Sequence, residues 1–142
     1  MKLVQHLLDE KGRDVLTISP DATVLDAVKI MAEKSIGALV VLNGEKLAGM
    51  VSERDYARKV ILMGRASDDT PVSAIMRTEP AVASSSSTVK ECMSMVTEGR
   101  VRHLPVVDDG KVVGIISIGD LVKAIIADQQ AEIEQLGQYI SG

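Results

Sequence analysis

A serine and an aspartate three residues apart occur twice in matching surroundings, Gly49-Met50-Val51-Ser52-Glu53-Arg54-Asp55 and Gly114-Ile115-Ile116-Ser117-Ile118-Gly119-Asp120. Where a strand gives way to a helix, such a serine stands among free N–H groups and at the positive end of the helix dipole, where an anion is favoured. Its hydroxyl can donate to a ligand oxygen. The aspartate, one turn inside, can aim two carboxylate oxygens at a pair of adjacent hydroxyls, each charged hydrogen bond contributing about 1.5–3 kcal/mol. Such a site rejects a compound lacking one hydroxyl, because the carboxylate is left unpaired. The same spacing is also an ordinary capping box, in which the two side chains serve each other's backbone. Both readings stand for Ser52, Asp55, Ser117 and Asp120.

Groupings suited to catalysis are missing. His6 and His103 are the only imidazoles and Cys92 the only thiol, which leaves no Ser-His-Asp, Cys-His or zinc arrangement with its partners. There is no Walker loop and no G-x-G-x-x-G fingerprint. The acidic pairs Glu53/Asp55 and Asp108/Asp109 fall at a helix start and a hairpin turn, where solvated carboxylates are common. The expectation is a chain that is not an enzyme and holds neither a metal nor a catalytic cofactor.

The elements that position the two motifs are written twice. Val15 to Asp55 aligns without a gap on Pro80 to Asp120, with identities that include Ser19/Ser84, Thr23/Thr88, Leu39/Leu104, Val41/Val106, Gly49/Gly114 and both motif pairs. Each copy opens with an extended segment, Val15 to Ile18 and Ala81 to Ala83. A helix follows, capped by Thr23 or Thr88, with Asp26 or Glu91 at capping-box spacing. Val24, Ala27, Val28, Met31 and Val89, Cys92, Met93, Val96 recur at helical spacing. Two apolar strands come next in each copy, turned by Asn43-Gly44 and by Asp108-Asp109-Gly110. A second helix starts near Glu53 and Ile118, the first running from Tyr56 to Met63. Short helices at Val4 to Leu8 and Val72 to Met76 introduce the two copies.

The unit is β-α-β-β-α, and the fold class is α/β (α+β). A single copy of about 55 residues buries too little surface to stand alone, so two copies are expected to pack together with pseudo-two-fold symmetry. The division this implies is 1–66, 67–128 and a C-terminal helical extension, 129–142. Val122, Ile126, Gln129, Ile133, Leu136 and Ile140 form a heptad-like stripe suited to a second subunit or a partner. Met31, Met63, Met93 and Met95 are expected in the core, as is Cys92.

Composition narrows the classes further. The 142 residues are 46% hydrophobic and 25% charged, which is globular in kind. A net charge of −4 and the absence of Phe and Trp argue against nucleic acid, which needs basic surface and stacking platforms. No membrane-length apolar run and no signal-peptide pattern is present, so the cytoplasm is the expected compartment.

The tandem repeat, the doubled Gly-apolar-apolar-Ser-x-x-Asp motif and the run Val101-Arg102-His103-Leu104-Pro105-Val106-Val107-Asp108 resemble a pair of CBS domains, a Bateman module, over residues 3–127. The resemblance implies a regulatory module for an adenosine-containing ligand: AMP, ADP, ATP, an NAD-type compound or, less favoured, S-adenosylmethionine. It implies that each site draws on both copies. At the Asp120 site, Leu16, Thr17, Ile36, Gly37 and Ala38 would take the base, Ser117, Ile118 and Asp120 the ribose, and Arg102 with His103 the phosphate. At the Asp55 site, Ala81, Val82, Val101, Arg102 and His103 would join Ser52, Arg54 and Asp55. Copy one has Gly37 and Ala38 where copy two has Arg102 and His103, so unequal occupancy is expected, with Asp120 the favoured site. Family habit adds a homodimer and an unidentified regulated protein. The alternative is a ligand-free structural adaptor.

Overall fold

Thr23 and Thr88 open equivalent helices, α2 (Val24–Lys34) and α4 (Val89–Gly99), in a computed structural model that describes residues 2–141. The Thr23 hydroxyl oxygen accepts the Asp26 N–H at 3.1 Å, and that of Thr88 accepts the Glu91 N–H at 3.0 Å. Glu91 in turn accepts the Thr88 N–H at 3.3 Å, closing a full capping box. Both helices end on a non-glycine residue in the left-handed region, Ser35 (φ 54°) and Arg100 (φ 52°). The next N–H groups, of Ile36 and Val101, return to the carbonyls of Met31 and Val96, a Schellman-type finish.

In the first copy β2 (Ala38–Asn43) and β3 (Lys46–Ser52) pair antiparallel. β1 (Thr17–Ile18) lies parallel beside β2, and β4 (Arg77–Thr78) antiparallel beside β3, giving the order β1-β2-β3-β4. In the second copy β5 (His103–Asp108) and β6 (Lys111–Ser117) form a two-stranded sheet. Their turn places Asp109 and Gly110 at φ 51° and 78°, as a type I′ hairpin requires. The extended segment expected at Ala81 to Ala83 shrinks to one parallel bridge, Ala83 with Val106. Proline explains the loss. The Val40 N–H donates to the Leu16 carbonyl at 3.3 Å, whereas the equivalent residue of β5 is Pro105, which has no N–H.

The remaining elements are α1 (Val4–Lys11), α3 (Glu53–Tyr56) continued by a π-helical turn at Ala57–Ile61, a 3-10 turn at Val72–Ala74, and α5 (Ile118–Ser141). The chain forms two compact units. One comprises Asp14–Pro80 with Asp109–Val112, the other Met1–Arg13, Ala81–Asp108 and Val113–Gly142. These boundaries differ from a division at residues 66 and 67, and the cause is an exchange of the introducing segments. Val4, Leu7 and Leu8 of α1 are buried with Val89, Cys92, Leu104, Ile116 and Leu121 of the second copy. Val72 and Ile75 are buried with Val24, Leu39 and Val51 of the first.

The backbone fixes each exchange. The Val4 N–H donates to the Ser87 carbonyl at 2.9 Å and the Val89 N–H to Lys2 at 3.1 Å. In the first unit the Val72 N–H donates to Ala22 and the Val24 N–H to Thr70, both at 2.8 Å. Leu3 thus bridges to Thr88 as Pro71 bridges to Thr23. Each buried aliphatic side chain contributes about 1.5–3 kcal/mol, so α1 supplies a large share of its unit's core.

The helix α5 runs unbroken from Ile118, so residues 129 onward continue an element of the repeat rather than starting a separate one. Val122, Ile126, Ile133 and Leu136 on it are exposed; the side chains of Tyr139 and Ile140 lie outside the described residues. Met31 is buried and Met93 and Met95 pack against the second core, but Met63 is 65% exposed beside exposed Ile61 and Leu62. Apolar residues at the end of the π-helical turn therefore face solvent, contrary to the core expectation for Met63.

Candidate functional site

Ser52 ends β3 and caps α3, and Ser117 ends β6 at the first turn of α5. Both motifs fold as capping boxes. Asp55 Oδ2 accepts the Ser52 N–H at 2.9 Å and its hydroxyl at 3.0 Å, while the Ser52 hydroxyl oxygen accepts the Asp55 N–H at 3.3 Å. Asp120 Oδ2 accepts the Ser117 N–H at 2.8 Å, and the Ser117 hydroxyl oxygen accepts the Asp120 N–H at 3.1 Å. One carboxylate oxygen of each aspartate is thus committed to its helix start. The capping reading of these residues is realised, and any ligand must use what remains.

Each aspartate also faces a lysine that the sequence reading did not single out. Lys59 Nζ lies 3.5 Å from Asp55 Oδ1 and donates to the Ile75 carbonyl at 3.0 Å. Its position four residues after Asp55 on one helix was a legible signal. Lys11 Nζ lies 2.7 Å from Asp120 Oδ2 and donates to the Ile115 carbonyl at 2.8 Å. No local spacing points to Lys11, which arrives from α1. Burial pushes the Asp120 carboxyl up, but the Lys11 hydrogen bond and charge, with the Ser117 amide and hydroxyl, outweigh it and hold the group below its ordinary value.

The backbone brings one more expected residue to each motif. The Ile118 N–H donates to the Arg102 carbonyl at 2.9 Å, and the equivalent Glu53 N–H donates to the Gly37 carbonyl at 3.1 Å. Ser117, Ile118, Asp120 and Arg102 are therefore gathered in one unit, with His103 following in β5. Ser52, Arg54, Asp55 and Gly37 are gathered in the other, with Ile36 and Ala38 on either side of Gly37. Leu16 and Thr17 belong to that unit too, and Ala81, Val82 and Val101 to the first-named one. Leu16, Thr17, Ala81, Val82, Arg102, Arg54 and Ile118 are exposed, whereas Ala38 is buried.

The motif glycines are packing residues. A Cβ on Gly49 would lie 2.4 Å from the Arg77 carbonyl oxygen in β4, and one on Gly114 would lie 2.7 Å from a methyl of Leu8. Among the described residues no group of three or more His, Cys, Asp or Glu side chains is arranged to hold a metal ion. No helix among them is long and apolar enough to cross a membrane.

A doubled β-α-β-β-α unit with a Ser-x-x-Asp helix start in each copy is the architecture of a CBS-domain pair. The CBS domain family model matches residues 11–61 and 72–127, and the chain belongs to that family. It is 38% identical over 148 residues to the CBS domain-containing protein CBSX3, mitochondrial, of Arabidopsis thaliana, covering 98% of this chain and 72% of that protein. It is similar to the solved structure of a putative signal-transduction protein with CBS domains from Burkholderia ambifaria MC40-6, with a TM-score of 0.87 and 50% identity over 90% of this chain and 96% of that one. The CBS domain pair of protein MJ0100, solved in complex with 5′-methylthioadenosine and S-adenosyl-L-methionine, shares the fold at a TM-score of 0.80 and 22% identity, over 90% of this chain and 98% of that one.

Proposed function

We propose that this chain is a regulatory module that binds an adenine nucleotide or NAD-type compound and transmits its presence through a dimer or partner interface, without chemistry on the ligand. The observation that carries this reading is the doubled aspartate one turn inside a helix start. At Asp120 the helix start and Lys11 both use Oδ2, so Oδ1 is the oxygen on which a ribose hydroxyl can settle. The adenosine compounds bound to the CBS domain pair of MJ0100 support the ligand class. Arg102 and His103 are proposed to meet the phosphate at the Asp120 site, on the strength of the resemblance. Ser52, Arg54 and Asp55 form the corresponding weaker set. Exposed Ile126, Ile133 and Leu136 on α5, with Ile61 and Leu62, support a homodimer or docked partner. We place the module in the cytoplasm.

A ligand-free adaptor is the second reading, favoured by the fact that both capping boxes are already satisfied. Thermal-shift and calorimetric titration with AMP, ADP, ATP, NAD and S-adenosylmethionine separates the two, since a ligand that prefers the folded state raises the melting temperature. Asp120→Asn is expected to weaken adenosine-ligand binding about tenfold to a hundredfold, the loss of one charged hydrogen bond. No shift with any of the five compounds at millimolar concentration would leave the adaptor.

A further inference from the structure

Lys11 is held in place by the core beneath it. Its helix buries Leu7 and Leu8 at 5% and 1% exposure, and its ammonium is pinned by Asp120 Oδ2 at 2.7 Å and the Ile115 carbonyl at 2.8 Å. Two of its three N–H donors are used. The third is left for another acceptor. Beside it lies a cleft of about 200 Å³ whose lining includes Lys2, Lys11 and Lys123, against Glu10 and Asp120. Three cations against two anions leave the cleft positive by one charge, although the chain as a whole carries −4. The whole arrangement belongs to a single unit.

We propose that Lys11 is a specificity-determining residue of the Asp120 site, turning it toward nucleosides that carry phosphate and away from neutral or cationic adenosine compounds. The proposal rests on the reading of Asp120 as the ribose grip. A sugar held on Asp120 keeps its 5′ substituent within reach of the Lys11 ammonium. A phosphate there meets a free N–H donor and a positive cleft; a sulfonium meets like charge. At about 6 Å and an effective dielectric near 20, one unit charge changes affinity about a hundredfold. Solvent at the open rim reduces this to roughly tenfold.

The test is calorimetric titration of the wild type, Lys11→Met, Lys11→Arg and Lys123→Met with AMP, adenosine and S-adenosylmethionine. The wild type is expected to prefer AMP. Lys11→Met is expected to lose about tenfold on AMP while adenosine changes less than twofold and S-adenosylmethionine tightens, and Lys11→Arg to restore the AMP preference. Lys123, exposed on α5, is the second variant should Lys11→Met fail to fold; its ratio of AMP to adenosine affinity is expected to fall about threefold. An unchanged ratio in the variants that fold overturns the proposal. So does equal tightening of AMP and adenosine in Lys11→Met, which would make the lysine a competitor for the carboxylate. The underlying ribose reading is tested separately: wild-type protein that binds adenosine and 2′-deoxyadenosine alike, with Asp120→Asn unaltered, removes that reading whatever Lys11 does.

Discussion

Replacing Gly49 and Gly114 by alanine separates two kinds of close packing at equivalent motif positions. A Cβ at residue 49 would stand 2.4 Å from the Arg77 carbonyl oxygen and 3.2 Å from its carbon. The obstacle is backbone. β4 is held to β3 by only two residue pairs, Gly49 with Thr78 and Met50 with Arg77, so relief requires β4 to peel away. Overpacking of this kind costs about 1–3 kcal/mol, offset by about 0.5–1 kcal/mol from removing a glycine. A clash with backbone takes the upper end of that cost, so the net loss expected for Gly49→Ala is about 2–2.5 kcal/mol. At residue 114 the obstacles are the Leu8 methyls at 2.7 and 2.9 Å, the far end of a flexible side chain. A rotamer adjustment suffices, and Gly114→Ala is expected to cost less than about 1 kcal/mol. At roughly 4 °C per kcal/mol for a chain of this length, the two melting temperatures should differ by several degrees. Far-UV circular dichroism under urea and heat is the suitable assay, because the chain has no Trp and only Tyr56 and Tyr139 to report by fluorescence. If Gly114→Ala costs as much as Gly49→Ala, the backbone argument is wrong.

Two further outcomes follow from the titrating groups. Burial first, and the neighbouring Glu91 charge second, push the Cys92 thiol up to about 11. Its reaction with a disulfide reagent at pH 8 should therefore run on the order of a hundredfold slower in folded protein than in urea, and comparable rates would show that Cys92 is not in the core. The Asp120 carboxyl is held below its ordinary 3.8. Its pairing with Lys11 then adds stability that is full above that pH and is lost as pH falls through the folded value. Lys11→Met should cost on the order of 1 kcal/mol at pH 7 by urea titration and progressively less as the pH is lowered below 3.8; a cost that does not change with pH would assign the loss to packing of the side-chain stem.

The repeat was legible because its signals are local. Thr23 and Thr88 cap the helices they were expected to cap, and the turns at Gly44 and at Asp109-Gly110 fall between the expected strands. The missing strand at Ala81 to Ala83 was local too: Pro105, in the position of Val40, announces it once the hydrogen bond to Leu16 is traced. The exchange of introducing segments was not legible. Val4, Leu7 and Leu8 state that one helix face is apolar, but either core would accept them, and only the pairing of Leu3 with Thr88 decides. Lys11 escaped for the same reason: its partner Asp120 is distant in sequence, while the comparable Lys59 sits one turn from Asp55.

The exchanged helix also sets an order of events at the ribosome. A chain made from its amino end releases Val4, Leu7 and Leu8 well before the side chains that bury them, among them Leu104, Ile116 and Leu121, which follow on the order of a hundred residues later. At ~5–20 residues per second, that apolar face waits roughly 5–20 s while residues 14–80 acquire the strands and helices of their own core. Nascent protein is thus exposed to misassociation through this apolar face until α5 is made.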